Sequence, residues 1–136
     1  ISRGAQSAVL CDSSREAARV IKANIEALRV QDRARLLPMI DSQALALLGR
    51  EGARFDLVFL DPPYRLDTAP ACAQMRSVGV LEPGALVVIE HAAAVQPNPG
   101  LGYRMTDQRK YRDTMITFYR YEEQQDGGTV DLSGQL

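Results

Sequence analysis

Apolar residues recur along this chain in two patterns, one with the spacing of helices and one as the short continuous runs typical of buried strands. Segment 13–30 carries apolar residues at helical spacing, with charged residues on the opposite face. The apolar positions are Ala17, Val20, Ile21, Ile25 and Leu28. A second helix is predicted to begin near Asp41 or Ser42 and to end at Gly49 or Gly52, and a third over 69–81.

Apolar runs of strand length alternate with these helices, at residues 7–11, 34–40, 55–60 and 85–90. Strands that alternate with helices indicate parallel βαβ units. Residues 103–121 read instead as two strands with a tight connection near Tyr111 and Arg112, which predicts an antiparallel hairpin at the end of the sheet. The sequence therefore predicts an α/β fold with a mostly parallel sheet and a C-terminal hairpin.

Polar residues follow three of the predicted parallel strands at their carboxyl ends. The strands should be buried on both faces, because their apolar runs are continuous. Ligands of such sheets bind beyond the carboxyl ends of the strands, which is where Asp12, the stretch Asp41–Gln43 and Asp61 fall. This coincidence is the first indication of function.

Asp12 and the stretch Asp41, Ser42 and Gln43 each admit two interpretations. An acidic residue at the position of Asp12 can accept hydrogen bonds from both hydroxyls of a ribose, or it can cap the following helix. A polar side chain from Asp41–Gln43 could contact the edge of an adenine ring, or it could cap the next helix. The sequence does not decide which of the three would contact a ligand.

The segment Asp61-Pro62-Pro63-Tyr64 follows the apolar strand 55–60 directly. The two prolines fix two φ angles and remove two backbone donors, so the segment is stiff and its carbonyl groups remain available as acceptors. The Asp61 carboxylate and a nearby carbonyl could both accept from one amino group, and the Tyr64 ring offers a face for a planar base. We interpret these four residues as a rigid site for a planar, amino-bearing base; the alternative is a plain structural turn.

The sequence "FDLVFLDPPY" resembles the catalytic motif of class I methyltransferases that modify exocyclic amino groups. The segments "SRGAQSAVLCDSSREAARVIKANIEAL" and "LLPMIDSQALALL" resemble the RsmD-like family, which methylates guanine N2 in 16S ribosomal RNA. The closing "RKYRDTMITFYRY" resembles the C-terminal hairpin of that family, where a Tyr-Gly pair is common and this chain has Tyr111 followed by Arg112. The similarity spans nearly all of residues 1–121.

This resemblance implies a Rossmann-like class I methyltransferase fold with S-adenosylmethionine as cofactor. Asp12 would bind the ribose of the cofactor, and one of Asp41, Ser42 and Gln43 would lie near its adenine. The segment from Asp61 to Tyr64 would hold the target amino group. The expected partner is ribosomal RNA or a small-subunit assembly particle, in the cytoplasm, with neither a membrane nor a metal ion involved.

The family's glycine-rich loop lies upstream of a "SRGA"-like segment, and this chain opens at that segment. We therefore expect the first strand to be missing, residues 1–121 to be a partial methyltransferase domain, and this chain alone to bind the cofactor poorly and to be inactive. Residues 122–136 are expected to be a disordered tail. The alternatives are an adenine-N6 methyltransferase acting on DNA or RNA, and a catalytically silent scaffold.

Composition narrows these expectations only slightly. The chain has 136 residues and a net charge of -1, so no overall positive field indicates a nucleic acid, although a local basic patch would suffice. Of its 2 cysteines, Cys11 is expected to be a core thiol, and neither matches a metal-binding or redox spacing. The predicted hairpin carries five cations, which could contact phosphates or could belong to a solvated mixed-charge face. They are Arg104, Arg109, Lys110, Arg112 and Arg120.

Overall fold

The computed structural model describes residues 1, 3–61 and 67–122, which divide into two compact units, Ile1–Glu51 and Gly52–Leu136. The predicted tail lies outside the described residues, except for Glu122, and so do Pro62, Pro63 and Tyr64. Within the described residues, no helix has both the length and the apolar character needed to cross a membrane.

The first unit consists of two parallel strands and two helices. Its elements are β1 (Ala8–Cys11), α1 (Arg15–Ala27), β2 (Ala34–Leu37) and α2 (Asp41–Arg50). Strand β1 pairs with β2 from Ala8 opposite Ala34 to Cys11 opposite Leu37, so both strands end at the same edge. Helix α1 begins after Ser14, whose side chain accepts a hydrogen bond from the Ala17 amide at 3.2 Å and so caps the helix.

The second unit is a four-stranded sheet with one helix. Its elements are β3 (Phe55–Leu60), α3 (Ala69–Val78), β4 (Leu81–Ala92), β5 (Tyr103–Tyr111) and β6 (Thr114–Tyr121). The strand order is β3-β4-β6-β5, with β3 parallel to β4 and the other two pairs antiparallel. Helix α3 ends at Gly79, whose φ of 74° is the left-handed conformation that glycine adopts without steric cost.

The predicted hairpin is confirmed, since β5 and β6 are joined by Arg112 and Asp113. The core of this unit is built from residues on α3, β4 and β6, together with Val80, which lies between α3 and β4. Its most deeply buried members, each with at most 2% of its surface exposed, are Cys72, Met75, Val80, Leu81, Ala85, Val87, Ile89, Thr117 and Tyr119.

The expectation that every parallel strand is buried on both faces is wrong for β1 and β3. Leu10 of β1 is 37% exposed, and Phe59 of β3 is 71% exposed. Within the described residues β3 pairs with β4 alone and β1 with β2 alone, so each strand lies at an edge of its own sheet. The expectation holds for β4, where Val87 and Ile89 are both 0% exposed, because β4 lies between two other strands.

Candidate active site

Asp12 lies directly after β1 in the first unit and is half-buried. Its backbone amide donates to the Leu37 carbonyl at 3.2 Å, which continues the β1–β2 pairing by one residue. Its Oδ1 accepts from the Ser14 amide at 2.8 Å, and Ser14 in turn caps α1. Asp12 therefore shapes the turn ahead of the helix without being the N-cap itself. No hydrogen bond to its Oδ2 is found within the described part of the chain.

The stretch Asp41–Gln43 forms the exposed first turn of α2, close to the end of β2. The N-cap of this helix is Ile40, which has no side-chain cap, so none of the three polar residues occupies the capping position. Asp41 Oδ1 accepts from the neighbouring Ser42 amide at 2.7 Å, and the Gln43 amide donates to the Ile40 carbonyl at 3.1 Å. The acidic Asp41 is well placed to stabilise the positive N-terminal end of the helix dipole.

Asp12 and Asp41 both lie near Cys11, the last residue of β1. The pKa of its thiol is raised first by partial burial, then by the negative charge of Asp41 and then by that of Asp12. Its Sγ also donates to the Met39 carbonyl at 3.1 Å. The expectation of a core thiol is wrong, because Cys11 is exposed at the edge where β1 and β2 end. Two predicted cofactor-binding carboxylates therefore flank one accessible thiol.

Asp61 lies immediately beyond β3 in the second unit and is exposed. Leu60 pairs with Ile89, so continuing the parallel register by one residue places Asp61 beside Glu90 of β4. No ion pair to either carboxylate is found within the described residues. The partners predicted for Asp61, namely Pro62, Pro63 and Tyr64, lie outside those residues.

The sequence reasoning missed a polar network on the sheet of the second unit. His91 Nδ1 lies 2.9 Å from the Ala92 carbonyl, and its Nε2 lies 2.7 Å from Thr117 Oγ1. The Gln108 side-chain amide donates to the same Thr117 oxygen at 3.0 Å. Because a carbonyl only accepts, Nδ1 carries the proton, and in neutral His91 the Thr117 hydroxyl donates to Nε2. No local sequence signal predicts this network, because it depends on the pairing of Thr117 with Gln108 on one side and Ile89 on the other.

The predicted site residues thus divide between the two units: Asp12 and Asp41–Gln43 lie in the first, and Asp61 lies in the second. Each group occupies the carboxyl ends of parallel strands, as the sequence predicts. Within the described residues, no group of three or more histidine, cysteine, aspartate or glutamate side chains is arranged to hold a metal ion. What both edges offer is hydrogen-bond acceptors, which suit hydroxyl and amino groups.

A family model described as conserved hypothetical protein 95, the RsmD-like family, matches residues 1–120. The chain belongs to this RsmD-like family. A conserved hypothetical protein of Streptococcus pyogenes is 30% identical to it, with a TM-score of 0.80 over 89% of this chain and 75% of that one. No curated protein matches the chain.

Two further solved structures show that this RsmD-like chain has the class I methyltransferase fold. A proposed methyltransferase of Escherichia coli is 22% identical, with a TM-score of 0.81 over 90% of this chain and 68% of that one. A proposed methyltransferase solved in complex with SAH (S-adenosylhomocysteine) is 15% identical, with a TM-score of 0.67 over 86% of this chain and 40% of that one. At such identities the likeness establishes the fold alone.

Proposed function

We propose that this RsmD-like chain forms part of an enzyme that transfers a methyl group from S-adenosylmethionine to the N2 amino group of a guanine in 16S ribosomal RNA. The acceptor is the free RNA or a small-subunit assembly particle, and the reaction takes place in the cytoplasm. The observation that carries the proposal is Asp61, an exposed carboxylate at the carboxyl end of β3 that Pro62, Pro63 and Tyr64 follow in the sequence. Family membership over residues 1–120 supports it.

The role proposed for Asp61 follows from the chemistry of an exocyclic amine. The lone pair of such a nitrogen is delocalised into the ring, so the amine is a weak nucleophile. A carboxylate that accepts one amino hydrogen, together with a backbone carbonyl that accepts the other, favours a pyramidal nitrogen with its lone pair directed away from both acceptors. The negative charge of Asp61 also stabilises the positive charge that grows on this nitrogen as it is alkylated. Alignment and charge placement are therefore the tasks of this segment.

Reaching a guanine amino group inside folded RNA requires the base to be turned out of its helix. An aromatic ring next to the acceptors would hold the extruded base by stacking, which contributes about 1–3 kcal/mol per base. Tyr64 is the residue we assign to this role, because it follows the two prolines directly in the sequence.

The side chains at the end of the first sheet suit the proposed cofactor. S-adenosylmethionine supplies an electrophilic methyl group on a positively charged sulfur. Asp12, half-buried after β1, has the acceptor chemistry that two ribose hydroxyls require. Asp41, Ser42 and Gln43 form the exposed first turn of α2, and we propose that one of the three lies next to the adenine edge.

Methyl incorporation into RNA by the full-length protein tests the reaction. With radiolabelled S-adenosylmethionine and 16S RNA or small-subunit particles as acceptors, the product nucleoside should be N2-methylguanosine. Asp61→Ala should abolish transfer while cofactor affinity changes by no more than a few-fold. Asp56→Ala is the matched control, since Asp56 is an exposed carboxylate on the same strand β3. Near-normal transfer by Asp61→Ala, or N6-methyladenosine as the product, would contradict the proposal.

The thiol of Cys11 allows cofactor binding to be tested without turnover. Because Cys11 is exposed beside Asp12, S-adenosylhomocysteine bound there should slow its reaction with an aromatic disulfide reagent. Asp12→Ala should remove this protection. Full protection in the Asp12→Ala protein would exclude the assigned ribose contact.

A further inference from the structure

The tip of the β5–β6 hairpin projects from the same edge of the sheet as Asp61. Strands β3 and β4 are parallel and β6 is antiparallel to β4, so β6 begins where β4 ends: Thr114 pairs with Ala92 on one side and with Tyr111 on the other. Three strand spacings separate β5 from β3, a distance of about 14 Å. Whatever binds at the carboxyl end of β3 therefore approaches the hairpin tip as well.

The structure separates the five hairpin cations into two groups. Arg104 pairs with Glu122, Arg109 pairs with Asp107 at 3.2 Å, and Arg120 donates to the Gly84 carbonyl at 3.0 Å. These three have internal partners and belong to the mixed-charge face that the sequence left open.

Lys110 and Arg112 form the second group. Both are exposed, and the side chain of neither makes an ion pair or a hydrogen bond with any residue that the structure describes. They flank Tyr111, which exposes 56% of its surface. The nearest acidic residue in the sequence, Asp113, is exposed next to Arg112 and makes no ion pair with the described residues either. We call Lys110, Tyr111 and Arg112 the hairpin tip.

Arg112 is held in a backbone conformation that does not suit arginine. Its φ is 58°, in the left-handed region that favours glycine at a tight turn. The two-residue turn requires a positive φ, so the fold explains the conformation but not the choice of arginine over glycine. No ion pair of Arg112 is found within the described residues to offset the strain, which leaves a partner outside the chain as the reason for a charge at this position.

We propose that the hairpin tip binds the RNA substrate, with Lys110 and Arg112 on backbone phosphates and Tyr111 stacked on an unpaired base. Two unpaired cations around an exposed aromatic ring are the combination that proteins use to hold single-stranded nucleic acid. This inference rests on the proposed function for the choice of RNA. It goes beyond that function by assigning the substrate a second contact at the hairpin tip, in addition to the contact of the reacting base with Asp61.

The test is RNA affinity and its dependence on salt, measured by fluorescence anisotropy with the full-length protein and a labelled single-stranded RNA. Each lost phosphate contact should lower the slope of log affinity against log salt by about 0.7 and weaken binding about five-fold at about 0.1 M salt. We expect this of Lys110→Ala and of Arg112→Gly. Lys22→Ala, which removes an exposed lysine from α1 in the other unit, should bind as the wild type does.

Arg112→Gly also separates binding from folding. Because glycine accepts a φ of 58° without strain, this variant should melt at a higher temperature than the wild type and yet bind RNA more weakly. Arg112→Lys keeps the charge and should keep most of the affinity. Weaker binding with an unchanged salt slope would overturn the proposal, as would wild-type affinity in both tip variants or no RNA binding by the wild type.

These outcomes are independent of the methyl-transfer assay. Tip variants that bind RNA normally would remove the second contact and leave the proposed reaction untouched. Transfer to DNA alone would refute the proposed reaction, whatever the tip binds.

Discussion

Two tyrosines that pack against each other, the half-buried Tyr103 and the buried Tyr119, should respond differently to loss of the hydroxyl group. Tyr103 of β5 donates to the Cys72 carbonyl of α3 at 2.6 Å, which ties the helix to the sheet. Tyr119 of β6 is 2% exposed, and its hydroxyl has no hydrogen-bond partner within the described residues. The two rings meet edge to face, with centroids 6.4 Å apart at 85°. Replacing either residue with phenylalanine keeps this ring contact and removes only the hydroxyl.

The expected effects differ because only one hydroxyl makes a bond. Tyr103→Phe should lower the free energy of unfolding by about 1 kcal/mol, the net contribution of one intramolecular hydrogen bond. Tyr119→Phe removes a buried polar group that the fold leaves unsatisfied, so the free energy of unfolding should stay unchanged or rise by about 1 kcal/mol. The two variants should therefore differ by about 1–2 kcal/mol, or roughly 4–8 °C in melting temperature.

Urea unfolding followed by far-ultraviolet circular dichroism measures this difference. The chain has 0 tryptophans, so indole fluorescence cannot serve as the probe. The slope of the free energy against urea should be the same in both variants, because the surface exposed on unfolding does not change. If Tyr119→Phe destabilises the protein as much as Tyr103→Phe does, the reasoning fails, because the Tyr119 hydroxyl must then have a partner.

Three further measurements follow from thiols and glycine. Burial raises the pKa of the Cys72 thiol from 9.0 to about 12. The stabilisation from the protonated thiol is complete below pH 9, and above pH 9 the free energy of unfolding should fall by about 1.4 kcal/mol per pH unit. In Cys72→Ala this contribution to the alkaline decline should be absent, as measured by unfolding at increasing pH. Cys11 should react with thiol reagents in the native protein, and Cys72 should react only after unfolding. Asp12→Asn should speed the reaction of Cys11, because loss of the negative charge lowers the pKa of its thiol. An unchanged rate would contradict the electrostatic effect of Asp12 on Cys11. Gly102→Ala should destabilise by more than about 1 kcal/mol in urea unfolding, because its φ is 90° and the added Cβ would lie 2.9 Å from the Tyr121 ring; a neutral result would mean that the ring moves.

The sequence was most informative where one local signal decided the structure. The run 55–60 is a strand with the predicted bounds, and the hairpin turns at Arg112 as predicted. Strand β2 ends at Leu37, earlier than predicted, because Pro38 follows, and β4 begins at Leu81, earlier than predicted. There residues 82–84 are part of the strand, as an irregularity in its pairing with β3.

Pairing and burial could not be predicted in the same way, because they depend on partners distant in the sequence. The apolar sequence of β3 does not predict that Phe59 is exposed, because its exposure depends on which strands flank β3. For the same reason the prediction of a core thiol at Cys11 is wrong. Of the candidate site, the placement of Asp12, Asp41 and Asp61 at strand ends followed from the sequence, whereas their roles in binding and catalysis stay predictions.

The strand order β3-β4-β6-β5 has a consequence for how this protein is made. The last strand among the described residues, β6, occupies an interior position, with β4 on one side and β5 on the other. While the chain emerges from the ribosome, no strand links β4 to β5 until β6, which ends at Tyr121, has left the exit tunnel. The sheet of the second unit can therefore close only after β6 has emerged, and a nascent chain that stalls before β6 would expose the unpaired edges of β4 and β5 to chaperones and proteases.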